Sequence, residues 1–330
     1  MFWAYGKLHE ERDLTITKKA PASAVACVWY YEKKKADLDD SATAFYIRHG
    51  RPVIGVPALA CSPNTTILPS RYNLNNIRRF AAIIHKHKKH PEARGLINSV
   101  WLNTYYLPGT LSYGLAYGAD RFNRPVGTRG FPKLFAKTFF GLPMTSPAGN
   151  LLRDLHDCAP RFRDLHNLIE RACHEDLRAV TPKERRAAIQ MGRKVEKIAA
   201  QLRQVRPAVI RNRDIYDTYI LAADILIHIG DRAAILAQAE AGRAALRKLA
   251  HRARVFADAA WRNWDTAYDP AHPCREMRFP PKSQTPQQCN IDRYCYFGAA
   301  GKHSNKHIFS SLEKSANFLQ TLAKTSKQSR

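Results

Sequence analysis

Asp217, Asp224 and Asp231 recur at steps of seven through a stretch that is otherwise apolar. That spacing places three carboxylates close to one face of a helix, and His228 follows Asp224 by one turn. Carboxylates in apolar surroundings are costly unless something balances them. Two kinds of partner would do so. Arginines from a neighbouring helix would make ion pairs. Alternatively, Asp217, Asp224 and His228 would hold a magnesium ion and make the protein a metal-dependent enzyme acting on nucleic acid. Asp231, directly after Gly230, also reads as the N-cap of a following helix.

Two further groups have metal-ligand chemistry. His85, His87 and His90 stand close together, but Lys86, Lys88 and Lys89 lie among them and would repel a cation. A positively charged helix end accounts for that group better than a metal or nuclease centre. Cys289, Cys295, His303 and His307 follow the spacing C-x5-C-x7-H-x3-H, which ends like a zinc finger. The Cys gap is wider than a finger's and the middle gap is shorter. Zinc is the cofactor that this cluster would take. The adjacent Tyr105 and Tyr106 supply a phenol nucleophile only by type, with no base beside them in the sequence.

The strongest signal is charge. The chain has 53 Lys and Arg against 28 Asp and Glu, a net +25 over 330 residues. Solubility alone needs far less, so the excess predicts an acidic polymer as partner, DNA or RNA first. The excess is also concentrated. Residues 51–150 carry 13 basic and two acidic side chains, whereas residues 151–300 carry 26 and 18. In the first stretch Arg78, Arg79, Lys86, Lys88 and Lys89 gather on one expected helix and its end. Arg121, Arg124, Arg129, Lys133 and Lys137 follow in a glycine-containing segment. These are the expected phosphate contacts, with Tyr113 and Tyr117 offering ring faces for exposed bases. Arg243, Arg247, His251 and Arg254 make a second basic face.

These side chains need elements to position them. Ala24 to Tyr31, Ala42 to Ile47 and Pro52 to Val56 are rich in apolar, β-branched and aromatic residues, and Gly50 and Pro52 flank a reversal. They predict a small antiparallel β meander. A helix follows from about Asn73 and is stopped by Pro91. The many Gly and Pro residues from Gly95 to Gly149 predict loops and short elements. Thr181-Pro182-Lys183-Glu184 is a capping box with Pro at the first helical position. Ala188, Met191, Val195, Ile198, Leu202 and Val205 then recur at steps of three and four, and Pro207 closes the helix. A second long helix is expected to start near Asp231 and to repeat Ile235, Ala239, Gly242, Leu246, Leu249, Ala253, Phe256 and Ala260 at the same steps. Between the two, Ile215 to Ile229 is apolar on most sides and should be the buried helix of a bundle.

The sequence therefore predicts an α+β fold, predominantly α, in three parts. These are a basic, aromatic-rich domain over 1–147, a helical bundle over 148–267, and a linker with a small basic segment over 268–330. No run reaches the ~20 apolar residues of a membrane span. The first 13 residues are charged where a signal peptide needs apolar ones, and seven scattered cysteines suggest no disulfide framework. A cytoplasmic location is expected. The expected function is nucleic-acid binding without catalysis, in replication, transfer or packaging of a plasmid or phage genome. The alternatives are the metal-dependent enzyme above and a helical assembly protein that meets an acidic partner. Heptad-like seams would also suit a homo-oligomer.

Overall fold

A computed structural model of the chain describes residues 1–6, 8–30, 38–60, 67–100, 106–124, 130–160, 181–237, 242–267 and 308–325, with backbone alone at 264–267 and 308–311. The amino-terminal part is β1 (Phe2–Tyr5), α1 (Glu10–Lys19), β2 (Ala26–Trp29), α2 (Ser41–Arg48) and β3 (Val53–Val56). It continues with β4 (Ala58–Ala60), α3 (Arg71–Lys86), β5 (Ala93–Leu96) and β6 (Ser99–Val100). Strands β1, β2, β3 and β5 lie side by side in that order, and every pairing is parallel. Strands β4 and β6 form a separate parallel pair.

The antiparallel meander expected from the sequence is therefore corrected to a parallel sheet. The cause lies in Ala42 to Ile47, which is helical. Asp39 Oδ1 accepts a hydrogen bond from the Ser41 backbone amide at 2.9 Å, holding the first turn of α2. Ala42, Phe45 and Tyr46 then turn a buried face inward at steps of three and four. Its β-branched and aromatic residues favour strand by type, but burial on one face decided for helix. A helix between β2 and β3 carries the chain back to the same edge of entry, which makes the strands parallel.

Two buried polar side chains tie this region together. Asn76 on α3 accepts from the Ala58 amide at 2.9 Å and donates to the Tyr30 carbonyl at 2.7 Å, joining two strand ends to one helix. Arg51 reaches under the sheet and donates to the carbonyls of Thr17, Ala20 and Pro21, where α1 ends. Carbonyls at a helix end have no partner within the helix, so a buried cation suits them.

The stretch expected to hold loops and short elements contains the short helices α4 (Leu111–Asn123) and α5 (Phe131–Phe140) and the start of α6 (Ala148–Cys158). Gly141 turns the chain at the end of α5 with φ 71°, whereas Gly114 and Gly149 serve contact. A Cβ on Gly114 would fall 2.2 Å from the Leu59 side chain, and one on Gly149 would fall 2.0 Å from the Pro132 carbonyl oxygen. Gly at those positions lets the chain approach its neighbours closely.

The long helices follow: α7 (Pro182–Val205), α8 (Arg213–Ile235), α9 (Arg243–Ala267) and α10 (Ile308–Thr325). The capping box at Thr181 and Glu184 forms, with Glu184 N–H donating to Thr181 Oγ1 at 3.2 Å. Helix α8 is the buried one, with Tyr216, Tyr219, Ala222, Ala223, Ile225 and Leu226 wholly enclosed. The second long helix expected to start near Asp231 is instead divided between two helices. Helix α8 continues past Asp231 to Ile235 because Ile229 and Ala233 keep it anchored in the core, and α9 begins only at Arg243. Asp231 is thus inside a helix and caps none. The largest apolar core draws on both sides of residue 147, from Leu59 and Ile77 to Leu202 and Tyr219. A second core lies under the sheet, and a third joins α9 to α10. No helix among the described residues is long and apolar enough to cross a membrane.

Candidate nucleic-acid interface

Helix α3 presents an amphipathic cylinder. Leu74, Ile77, Phe80, Ala81 and Ile84 are buried, which turns Arg71, Asn75, Arg78 and Ala82 outward in one stripe. At its far end Lys86, Lys88, Lys89 and His90 are exposed, while Arg79 and His85 are half-buried. Not all of this charge is available. Asp40 accepts from Lys86, and its other oxygen lies 2.5 Å from His87 Nε2. Burial opposes ionisation of Asp40, but the bonds from Lys86 and His87 outweigh it and hold the carboxyl below its ordinary range. His87 faces Asp40 with His90 beside it, the two rings 5.9 Å apart. Among the described residues, which include all three histidines of this group, no set of three His, Cys, Asp or Glu side chains could hold a metal ion.

The second expected group divides. Lys133 and Lys137 are exposed, one turn apart on α5. Arg124 is exposed and binds Asp120. Arg121 is fully buried at 0% exposure, pairs with Asp120 through Nη2, and lies over the Tyr117 ring at 5.3 Å. Its burial takes it off the surface, so the expected phosphate contact there is withdrawn. Its Nε and Nη1 have no hydrogen-bond partner. Arg129, Tyr105 and the cluster Cys289, Cys295, His303 and His307 lie outside the described residues.

Tyr113 is likewise a core residue. Its ring stacks on His156 at 4.6 Å and meets Phe131 and Phe135 edge-on. Burial lifts its phenol well above the ordinary range. It offers no free face to a base. His156 donates through Nδ1 to the Pro69 carbonyl at 2.5 Å, and burial lowers its pKa to about 4.

The aspartates spaced by seven each meet an arginine from a neighbouring helix. Asp217 takes both Nε and Nη2 of Arg206 at 2.6 Å, Asp224 takes Arg203, and Asp231 takes Arg252 at 2.5 Å. These pairs lie at the surface rather than in the core, as Asp217 is exposed and Asp224 half-exposed. His228 does not join Asp224. It is buried against Phe256, both ring nitrogens lack partners, and its pKa falls to about 3 through burial and then the charges of Arg252 and Arg232. Asp217, Asp224 and His228 therefore form no common centre. On α9, Arg247, His251 and Arg254 are exposed and Arg243 half-buried, with Arg254 donating to Asn317 and Gln320 of α10.

One surface was missed by counting along the chain. Between Pro182 and Arg206 there are eight basic and two acidic residues, a bias hidden inside the mixed average of 151–300. Helix α7 buries Ala188, Gly192, Val195, Ile198, Ala199 and Leu202. At 100° per residue the opposite side gathers Lys183, Arg186, Arg193, Lys194 and Lys197 with Gln190, Gln201 and Gln204. Every one of these side chains is exposed. Glu184 and Glu196 fall outside that sector. None of the five cations makes an ion pair among the described residues. A helical projection of 182–206 would have revealed the face from sequence.

Helix α6 packs on α7 and touches α3. The Asp157 carboxyl on α6 marks the meeting point. Burial and then the neighbouring Asp154 raise its pKa, opposed by the charges of Arg153, Arg71 and Lys194. Cations from three helices thus act on one carboxylate. Neither the sequence nor the fold matches a known family model, a curated protein or a solved structure.

Proposed function

We propose that the protein binds nucleic acid through its phosphate backbone and does so without catalysing a reaction on it. The observation that carries this reading is the outward placement of cations that neither the core nor a carboxylate engages. Arg78, Lys88 and Lys89 on and after α3, and Lys133 and Lys137 on α5, are all exposed. A net charge of +25 gives these side chains a long-range field that gathers a polyanion and aligns it. Each phosphate neutralised releases counterions, and that release supplies the affinity. The enclosure of Tyr113 supports backbone contact over stacking of bases on that ring.

The test is binding of the purified full chain to random-sequence oligonucleotides over a salt series. The logarithm of affinity should fall linearly with the logarithm of salt, with a slope of several units. Binding that ignores salt, or that is absent at low salt with micromolar protein, would reject the reading.

A further inference from the structure

We infer that the outward face of α7 is a track for the phosphates of a double helix, and that it continues across α6 onto the start of α3. The inference rests on the nucleic-acid reading and names the surface and the form of nucleic acid. Five cations, Lys183, Arg186, Arg193, Lys194 and Lys197, occupy one sector of a 24-residue helix. Such a helix is ~36 Å long, about one turn of a DNA duplex. The sector has no carboxylate, and its remaining members are glutamines, which can donate to phosphate oxygens as well.

Three features favour a duplex over other polyanions. A single strand is held by cations interleaved with exposed aromatic platforms, and the α7 sector has no aromatic residue. A membrane surface is entered by an apolar face, and the apolar face of α7 is committed to α8 and the core. A duplex needs only a rigid row of charges at its backbone, and α7 is seated on the core from Ala188 to Leu202.

Continuity rests on α6. Helix α6 packs on α7 and touches α3, its Cys158 is hydrogen-bonded with Lys194 of α7, and its Arg153 pairs with Asp154. The charges of Lys194 and of Arg71 on α3 both act on the Asp157 carboxyl between them. Arg71 begins the stripe that leads to Arg78. Asp157 is thus a negative charge set within the track, and it opposes phosphate at that point.

The experiment compares three proteins on a 20-base-pair duplex and on one of its strands, over a salt series. The variant Lys183→Gln, Arg186→Gln, Arg193→Gln and Lys197→Gln should melt like the parent, because exposed charges add little stability. Its duplex salt slope should flatten by about 0.9 for each phosphate that the variant no longer neutralises, about two to four phosphates in all. The single-strand slope should change less. Asp157→Asn should tighten duplex binding several-fold at low salt, a gain that loss of structure cannot produce. A parent that binds with a steep slope beside an α7 variant with the same slope would overturn the track and leave nucleic-acid binding standing. A parent that does not bind overturns both. Equal flattening on the single strand would overturn the duplex assignment. Flattening on duplex without any gain in Asp157→Asn would overturn continuity onto α3.

Discussion

Residues 51–150 and helix α7 are both rich in basic residues, yet they use their cations differently. In 51–150, Arg51 closes the end of α1, Arg121 is enclosed, Arg124 binds Asp120, and Lys86 binds Asp40. Much of that charge is structural. On α7 the five cations of the outward sector make no ion pair with a carboxylate among the described residues, while Arg203 at its end and Arg206 just beyond it bind Asp224 and Asp217. Charge summed along a chain measures composition. Charge projected on a face measures what a ligand meets.

The largest test of this contrast removes the support beneath α7. Leu202 is fully buried on the seam. Leu202→Asp should cost on the order of 3 kcal/mol or more, by placing a charge in a packed core. The thermal midpoint should fall by many degrees, and an unchanged midpoint would show that α7 is not seated as described. The cations at the end of α3 rest on the core under the sheet instead, so their contribution to binding should outlast that of α7.

A smaller effect comes from acid. The imidazoles of His156 and His228 are buried, with pKa values of about 4 and about 3, below the ordinary 6.5. The unfolded chain takes up both protons at a higher pH than the folded one. The protein should therefore be most stable above pH 6.5 and lose stability as pH falls from there toward 3. The loss should steepen to roughly 1.4 kcal/mol per pH unit for each proton taken up. Melting followed from pH 7 to 4 measures it. His228→Gln should reduce the acid dependence, and an identical pH profile in that variant would show that His228 is hydrated.

The smallest effect sharpens the contrast. Asp217→Asn with Asp224→Asn should release Arg206 and Arg203 while changing stability by no more than about 1 kcal/mol per pair. If α7 meets phosphate, the salt slope should then steepen by up to about 0.9 for each cation recruited. An unaltered slope would place the end of α7 outside the contact.

The sequence carried α7 well, because capping and apolar period agree there, whereas the helix expected to start near Asp231 starts at Arg243. Thr181 and Glu184 cap α7, Pro182 starts it, and its buried residues follow the expected steps. The arginine partners of Asp217, Asp224 and Asp231 were legible as a type of interaction, though not as surface pairs. The sheet was harder to read. Phe45, Tyr46 and Ile47 favour strand locally, and only the packing of α2 against β2 and β3 reveals a helix. The close contacts at two glycines were hidden for a similar reason. At Gly114 and Gly149 the missing side chain admits a neighbour, and a sequence does not show neighbours. Arg121 shows the same limit for charge, since exposure is a tertiary property.

Gly192 and Gly230 face each other where α7 crosses α8, and a Cβ on Gly230 would fall 2.8 Å from the Gly192 Cα. That crossing works as a keyway. A glycine pair meets in one rotational setting of the two cylinders, so α7 cannot roll about its own axis to a neighbouring setting without driving a bulkier residue into α8. Were it to roll by a single residue, about 100°, its cations would swing away from their common bearing. Two residues without side chains thereby fix the compass direction in which five charged ones point.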